Sequence, residues 1–434
     1  LQAEENEWVT QLKPLPLEEW ASRFPLNKRK QLIEANHKVY DFGVNKGIAR
    51  VSCFIKNETS ITATDPRNIS PRTPEFLSVV GPYVSALEKA AKAAPYLVKG
   101  RNIEDRDALL HRLDSFPFLM ETDQERLDRN MDQPIIRDFE MEFWDHVFPS
   151  AEHFVFHEVM QLALTTTGLT PFALMYYVEG TRVSGDSHTS IMNGLFCRFM
   201  QWLCNYNLPP ESWDSSHEGD DALTAGLLEF KNALIFLTNM MWLLGFGVKL
   251  QLPPSLAEST FCGRRHVPIP GGLRSMCDIR RTLAKFHITQ SGLPGRRAII
   301  AKAYSYWSTD SQTPIVGPLC YALLTILDPT AHDFTHILRS QRISTWEKDK
   351  IVEGASRALR KPEVLSEQRA VMDNHDNISI ALQLSVESAF EKWLRQGFIP
   401  TQFPTILDAD IHVDDHRSTY FGPDYPMFLV PTTK

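Results

Sequence analysis

"HEGDD" occupies His217 to Asp221 and sets two adjacent carboxylates directly behind a glycine. Glycine permits the backbone of a tight hairpin, and two acids at its tip are either solvated turn residues or ligands for a hard cation. The tripeptide Gly-Asp-Asp alone is weak, since chance produces it in on the order of one chain in ten of this size. Its meaning depends on what the rest of the chain can bring beside it.

Upstream, "FPFLM" reads as a strand, and the "ETDQERLD" that follows puts Asp123 at its end and Asp128 five residues later. An acid at a strand end can face Asp220 across a neighbouring hairpin. Read in isolation, the same stretch is a helix start with Thr122 or Asp123 as N-cap. Between the two acidic segments lies "RVSGDSHTSIMNG", from Arg182 to Gly194. Ser184-Gly185 makes a turn, and Thr189 and Asn193, four apart, share one face of the helix expected next. Those side chains either bond a ribose or hold Asp128 in place, unless the segment is only a capped helix start facing solvent.

The remaining composition sets bounds. The chain has 434 residues, 43% hydrophobic, enough for a large core divided into two or three subdomains. Its six cysteines show no CxxC pair and no regular spacing, which points away from a zinc ribbon or disulfide framework and towards reduced thiols in a cytoplasmic protein. No charged-then-apolar leader follows Leu1. The apolar run "ALIFLTNMMWLLGFGV", Ala233 to Val248, falls short of the roughly 20 residues that span a bilayer and reads as a buried helix. Net charge is −8, yet nine Lys or Arg stand against the single acid Asp278 between Phe261 and Lys302. That stretch is either a polyanion-contacting face or a solvated one.

Element signals are mixed. "LNKRKQLIEANHKVY", "VSALEKAAKAA" and "IEDRDALLHRL" carry helical periods, "ARVSCFIK" reads as extended, and Phe143 to Tyr177 reads as mostly helical or buried. After Pro270 the chain is predominantly helical, with "QRAVMDNHDNISIALQLSVESAFEKWLRQGF" its clearest amphipathic stretch. Helices around a few short strands make an α+β architecture. Near the C-terminus "DADIHVDDH" gathers Asp408, Asp410, His412, Asp414, Asp415 and His416, a rival metal cluster or a solvated tail.

Asp-x4-Asp, then Ser-Gly-x3-Thr-x3-Asn, then Gly-Asp-Asp, in that order, resembles the palm of viral RNA-dependent RNA polymerases. "FIKNETS" with "DPRNISPRTP" is similar to the basic fingers motif, "GFGVKLQ" to the lysine-bearing palm motif, and "FCGRRHVP" to the element leading into the thumb. The wording of "DPRNISPRTPEF", "NKRKQLIEA" and "RVSGDSHTS" resembles the tombusvirus-like group of positive-strand RNA viruses most, and the likeness covers roughly residues 20 to 290.

This resemblance implies a right-hand fold with a small antiparallel palm sheet and helical fingers and thumb. Its segments would be fingers with an N-terminal extension at 1–115, palm at 116–136, a fingers insertion at 137–180, palm again at 181–268, and thumb with tail at 269–434. It implies that Asp123 and Asp220 bind two Mg²⁺ ions, for which Mn²⁺ can substitute, with Asp221 as an outer ligand. Lys56, Arg67 and Arg72 would grip the nucleoside triphosphate, though each is otherwise an ordinary surface cation. Asp128, Ser184, Gly185, Thr189 and Asn193 would read the ribose, and no bulky gate of the reverse-transcriptase kind stands at Asp128. Lys249 is either the general acid for pyrophosphate or a lysine capping a strand. The partners implied are single-stranded RNA template, nascent RNA, ribonucleotides and viral or host replication proteins. The setting implied is the host cytoplasm, at membrane-associated complexes held by a region outside this chain. Two departures stand out: "SWDSSHE" is too polar for the usual apolar strand, implying a short hairpin or an exposed His217 and Glu218, and the acidic tail could occupy the RNA channel. A catalytically inactive RNA-binding scaffold and a reverse transcriptase are the rival readings.

Overall fold

A computed structural model describes residues 8–9, 12–56, 66–286, 291–397 and 399. Glu58 of the "FIKNETS" stretch and the acidic cluster from Asp408 to His416 lie outside the described residues. The chain divides into two compact units, one running to Ser255 and the other from Leu256 onward. The limit expected at 268/269 falls within the strand Arg264–Ile269 of the second unit.

The first unit begins with helices α1 (Leu17–Ala21) and α2 (Leu26–Phe42). Three two-residue strands follow: β1 (Val51–Ser52), β2 (Phe54–Ile55) and β3 (Asn68–Ile69). Helix α3 (Pro74–Ala90) has Thr73 as N-cap, its hydroxyl accepting from the Phe76 N–H, and Pro74 at the first turn where no donor is lost. Next come α4 (Ile103–His111), β4 (Phe118–Gln124), α5 (Leu127–Asn130), α6 (Gln133–Ile135), a π-helical turn at Ile136–Met141, α7 (Glu142–Val147) and α8 (Phe154–Gln161). Strands β5 (Thr165–Leu169) and β6 (Met175–Glu179) form a hairpin where the sequence reads as helical or buried. Its residues Phe172, Leu174, Met175 and Tyr177 are exposed, which erased the one-sided alternation that marks a strand.

Helix α9 (Thr189–Asn205) leads to β7 (Trp213–Glu218), β8 (Asp221–Gly226), α10 (Lys231–Asn239) and β9 (Val248–Gln251). A four-stranded antiparallel sheet has the order β7-β8-β4-β9. Strand β4 is central, which is why its apolar run Phe118, Leu119 and Met120 is buried throughout. The run from Ala233 to Val248 is not a buried helix. Leu234, Thr238, Met241 and Phe246 face inward, with Thr238 accepting from Gln201 Nε2 at 2.9 Å, while Phe236, Trp242, Leu243 and Leu244 are exposed. The main core of this unit packs α3, α8 and α9, and includes Tyr83 stacked on Phe156 with Trp144 and Phe148 around them.

The second unit opens with the antiparallel hairpin β10 (Arg264–Ile269) and β11 (Gly272–Cys277). Among the described residues seven helices follow: α11 (Ile279–Phe286), α12 (Gly295–Asp310), α13 (Val316–Leu327), α14 (Ala331–Arg339), α15 (Thr345–Ser356), α16 (Ser366–Asp376) and α17 (Ile380–Gln396). Their core centres on Ile299, Trp307, Leu319, Leu323 and Phe390. The single amphipathic stretch expected at its end is two helices. Asn377 takes a left-handed φ of 54° and Ser379 caps α17 by accepting from the Leu382 N–H.

Much of the basic stretch is spent inside this unit. Arg264 pairs with Asp310 at 3.0 Å, Arg265 with Asp376 at 2.7 Å, and Arg296 and Arg297 both hold Asp333. Lys302 lies over the Tyr306 ring, and burial lowers its pKa. The acids that match these cations come from later in the chain, so the charge count of the local window overstated the free basic surface.

Candidate active site

The hairpin β7–β8 turns through Gly219 and Asp220, and Glu218 pairs with Asp221 across it. Gly219 has φ of 63° while Asp220 keeps a negative φ, the order that a type II′ hairpin asks of its two central residues. No atom lies within 4 Å of where a Cβ on Gly219 would sit, so backbone conformation alone selects glycine there. In the register of β4, Asp123 stands directly opposite Asp221 on one side and Lys249 on the other. Gln124 N–H donates to the Asp220 carbonyl at 3.4 Å, tying the turn to the end of β4. The three acids therefore meet at one end of the sheet.

Their electrostatics follow from that convergence. Burial pushes the Asp221 carboxyl up to about 7, and Asp220, Asp123, Glu218 and Glu121 push in the same direction. Asp220 reaches solvent at the tip, yet loss of water around it also raises its pKa, with Asp123 and Asp128 adding and Arg67 opposing. Lys249 Nζ sits 3.6 Å from Asp123 Oδ2 and 3.9 Å from Glu125 Oε1, on a strand interior rather than at a strand cap. A crowded set of carboxylates in which Asp221 keeps its proton up to about 7 is a donor set that a divalent cation relieves. No three His, Cys, Asp or Glu side chains among the described residues form a ready-made cage. Mg²⁺ does not require one, since it commonly uses one or two carboxylates completed by substrate phosphates and water.

Beside the acids, Asp128 lies in α5 and accepts from Asn193 Nδ2 at 2.9 Å. Asn193 is buried, and its Oδ1 has no hydrogen-bond partner among the described residues. Thr189 opens α9 and donates its hydroxyl to the Val183 carbonyl at 2.8 Å. The Ser184 carbonyl accepts from Ser70 N–H at 2.8 Å, and Gly185 is exposed. Lys56 and Arg67 are neighbours at the open end of the β2–β3 pair, where Lys56 N–H donates to the Arg67 carbonyl at 2.8 Å, and both side chains are exposed.

Two expectations do not survive. Arg72 is not a surface cation: its side chain is 2% exposed, Nε donates to both oxygens of Asp186 at 3.0 Å, and Nη1 donates to the Ala49 carbonyl at 2.7 Å. Nor is the polar strand β7 short or open. Arg112 pairs with Asp214, Arg198 donates to Ser215 Oγ at 2.8 Å, Ser215 Oγ lies 2.8 Å from His217 Nε2, and Arg106 pairs with Glu218. His217 is buried, and its backbone bonds Tyr96 and Val98 along the outer side of the strand. Sequence reasoning also missed Glu140, Arg182, Asp186 and His188, a buried group of ionisable side chains; the only local signal was Asp186 immediately after the Ser-Gly turn.

An antiparallel sheet that gathers acids from a strand end and a neighbouring Gly-Asp-Asp hairpin, with a polar helix start beside them, is the palm of a viral RNA-dependent RNA polymerase fold. Among solved structures the chain is similar to the Sicinivirus 3Dpol RNA dependent RNA polymerase, with a TM-score of 0.52 and 12% identity, covering 80% of this chain and 71% of that one. Its sequence is 27% identical over 283 residues to the RNA-directed RNA polymerase of Pariacoto virus, covering 62% of this chain and 28% of that protein. It is 25% identical over 393 residues to the RNA-directed RNA polymerase of Tomato bushy stunt virus (strain Cherry), covering 85% of this chain and 46% of that protein. The RNA-directed RNA polymerase of Pieris rapae virus is 24% identical over 401 residues, 88% of this chain and 38% of that protein. This chain thus spans between about a quarter and a half of the length of these relatives. No family model matches it. The likeness to tombusvirus polymerases drawn from the ordered motifs is borne out.

Proposed function

We propose that this chain synthesises RNA on an RNA template by two-metal nucleotidyl transfer. The observation that carries the reading is the register that sets Asp123 opposite Asp221, with Asp220 in the adjoining turn. Asp123 and Asp220 would hold Mg²⁺, or Mn²⁺ in its place, with Asp221 as an outer ligand. Bound there, the metal supplies activation of a primer 3′-hydroxyl and neutralisation of the leaving phosphates.

The chain's own residues do the rest. Lys56 and Arg67 bind the triphosphate and stabilise charge on the departing pyrophosphate. Asp128, fixed by Asn193, accepts from the 2′-hydroxyl, and the unpartnered Asn193 Oδ1 offers a second acceptor in the same place. Thr189 and Ser184 shape the loop that leads there. Lys249, whose Nζ lies beside Asp123, would give a proton to pyrophosphate. The substrates are single-stranded RNA, the nascent strand and ribonucleoside triphosphates, and the setting is genome replication in host cytoplasm. Among the described residues no helix is long and apolar enough to cross a membrane.

The test is incubation with single-stranded RNA, labelled ribo- or deoxyribonucleotides, and Mg²⁺ or Mn²⁺. Ribonucleotide incorporation is expected, and Asp220→Ala should lower it by at least about a hundredfold, the scale of several kcal/mol of lost charge stabilisation. Incorporation that survives the substitution overturns the metal assignment, incorporation of deoxyribonucleotides alone favours reverse transcription, and RNA binding without synthesis favours a scaffold.

A further inference from the structure

We propose that Arg72 and Asp186 are positioning residues that fasten the triphosphate-binding strand β3 to the ribose-reading loop before α9. This rests on the polymerase reading, which supplies the roles of the two segments. Arg67 lies just before β3, and Arg72 three residues after it. Ser184 and Gly185 lie just before Asp186. The two stretches touch along their backbones: Ser70 N–H donates to the Ser184 carbonyl at 2.8 Å, and a Cβ on Gly185 would sit only 3.2 Å from Pro71 N and 3.3 Å from Ser70 C. Gly185 also has φ of 126°, so the approach depends on glycine twice over.

The ion pair is built into the fold rather than laid on it. Arg72 and Asp186 side chains are 2% and 3% exposed. Besides Asp186, the guanidinium serves the Ala49 carbonyl and, at 3.2 Å, Thr166 Oγ1, and it lies over the Phe76 ring. Every nitrogen is thereby committed to protein, which leaves none for a phosphate. Behind the pair, Arg182 holds Glu140 at 2.7 Å, and His188 Nε2 lies 3.3 Å from Glu140 Oε1. Glu140 sits in the π-helical turn Ile136–Met141, an arrangement frequent at functional sites. Two buried cations thus face two buried acids across both ends of one loop. A planar guanidinium fixes orientation as well as distance, which lysine's single ammonium cannot do. Buried pairs contribute little net stability, so what this one supplies is geometry. If the loop and the strand are one rigid piece, loosening the pair must disturb triphosphate binding and ribose choice together.

Two variants test this, Asp186→Asn and Arg72→Lys. Single-nucleotide incorporation should show KM for the ribonucleotide raised at least tenfold with kcat changed less than threefold, and preference for ribo- over deoxyribonucleotide lowered at least fivefold. A purely structural role would lower the active fraction and move neither KM nor ribose preference, which overturns the proposal. A raised KM with unchanged ribose preference overturns it too, since that is the signature of direct phosphate contact by Arg72. Independently of activity, amide hydrogen exchange at Ser70 should accelerate at least tenfold in Asp186→Asn. Unchanged exchange at Ser70 overturns the coupling. Failure of the unsubstituted chain to incorporate any ribonucleotide defeats the polymerase reading, a result separate from the exchange measurement.

Discussion

At the scale of single residues, the acids at the sheet end make pH a direct probe. Asp221 keeps its proton up to about 7 in the fold, because burial comes first and four neighbouring carboxylates add to it. In the unfolded chain an aspartate loses its proton near about 4. Between those values the folded state binds more protons, so metal-free protein should lose stability as pH rises from about 4 to about 7 and then level off. Thermal melts in a chelator should show that slope, and Asp221→Asn should flatten it; an unchanged slope would mean the site is not the crowded cluster described. Cation binding must displace the same proton, so Mn²⁺ affinity measured by titration calorimetry should climb over that range. The ribose side offers a second test. Removing the Asn193 donor frees Asp128 to rotate, and Asn193→Ala should cut discrimination against deoxyribonucleotides by about tenfold, the worth of one hydrogen bond. Equal discrimination in that variant would take Asp128 out of ribose recognition. These residues were legible in the sequence because each motif is local and its chemistry needs particular residue types at fixed spacing. Arg72 was not, because its partners Asp186, Ala49 and Thr166 are remote in sequence, and a cation's burial cannot be read from its neighbours.

Elements show where local pattern and tertiary setting part company. Strand β4 follows its apolar run and was plain; the helices of "LNKRKQLIEANHKVY" and "IEDRDALLHRL" formed as their periodicity indicates. Strand β7 shows the opposite case, since "SWDSSHE" is polar yet almost wholly buried. Arg198 from α9 and Arg112 from the turn after α4 reach in and satisfy it. Arg198 donates to Ser215 Oγ, which in turn shares a hydrogen bond of 2.8 Å with His217 Nε2. Burial, with the charges of Arg198 and Arg112, pushes the His217 pKa far below its usual range and keeps the ring neutral. Ser215→Ala breaks that chain at its middle. It should cost about 1 to 3 kcal/mol in urea unfolding, the price of burying polar groups without their partner. Loss of activity without loss of stability would instead move His217 into the reaction. The β5–β6 hairpin stayed hidden for a simpler reason: its inward face carries the small or polar Thr166 and Gly168 while the apolar Met175 and Tyr177 are exposed, so hydrophobicity does not mark its inside.

At the scale of the molecule, the question is what an acidic chain does with a basic stretch. Nine cations between Phe261 and Lys302 suggest contact with a polyanion when counted locally. In the folded second unit, Asp310, Asp333 and Asp376 each take up one or two of them. Asp310 is the telling case. Its side chain is 1% exposed, and burial alone would raise its pKa, but Arg264 and hydrogen bonds from Thr309 and the Cys277 N–H outweigh that and hold it low. A lowered folded-state pKa means the pairing stabilises above the ordinary aspartate range and is lost as pH falls through and below about 4. Arg264→Ala strands that buried carboxylate and should cost about 3 to 5 kcal/mol, read as a lower denaturation midpoint at pH 7. The deficit should shrink as the pH approaches 4, where protonation removes the stranded charge. RNA affinity at fixed salt should hardly change in the same variant. A residue that instead contacts phosphate would weaken RNA binding and reduce its salt slope by about one while leaving the midpoint in place. The two measurements on one variant therefore decide whether this part of the basic stretch serves the fold or the nucleic acid, and the burial of Asp310 argues for the fold.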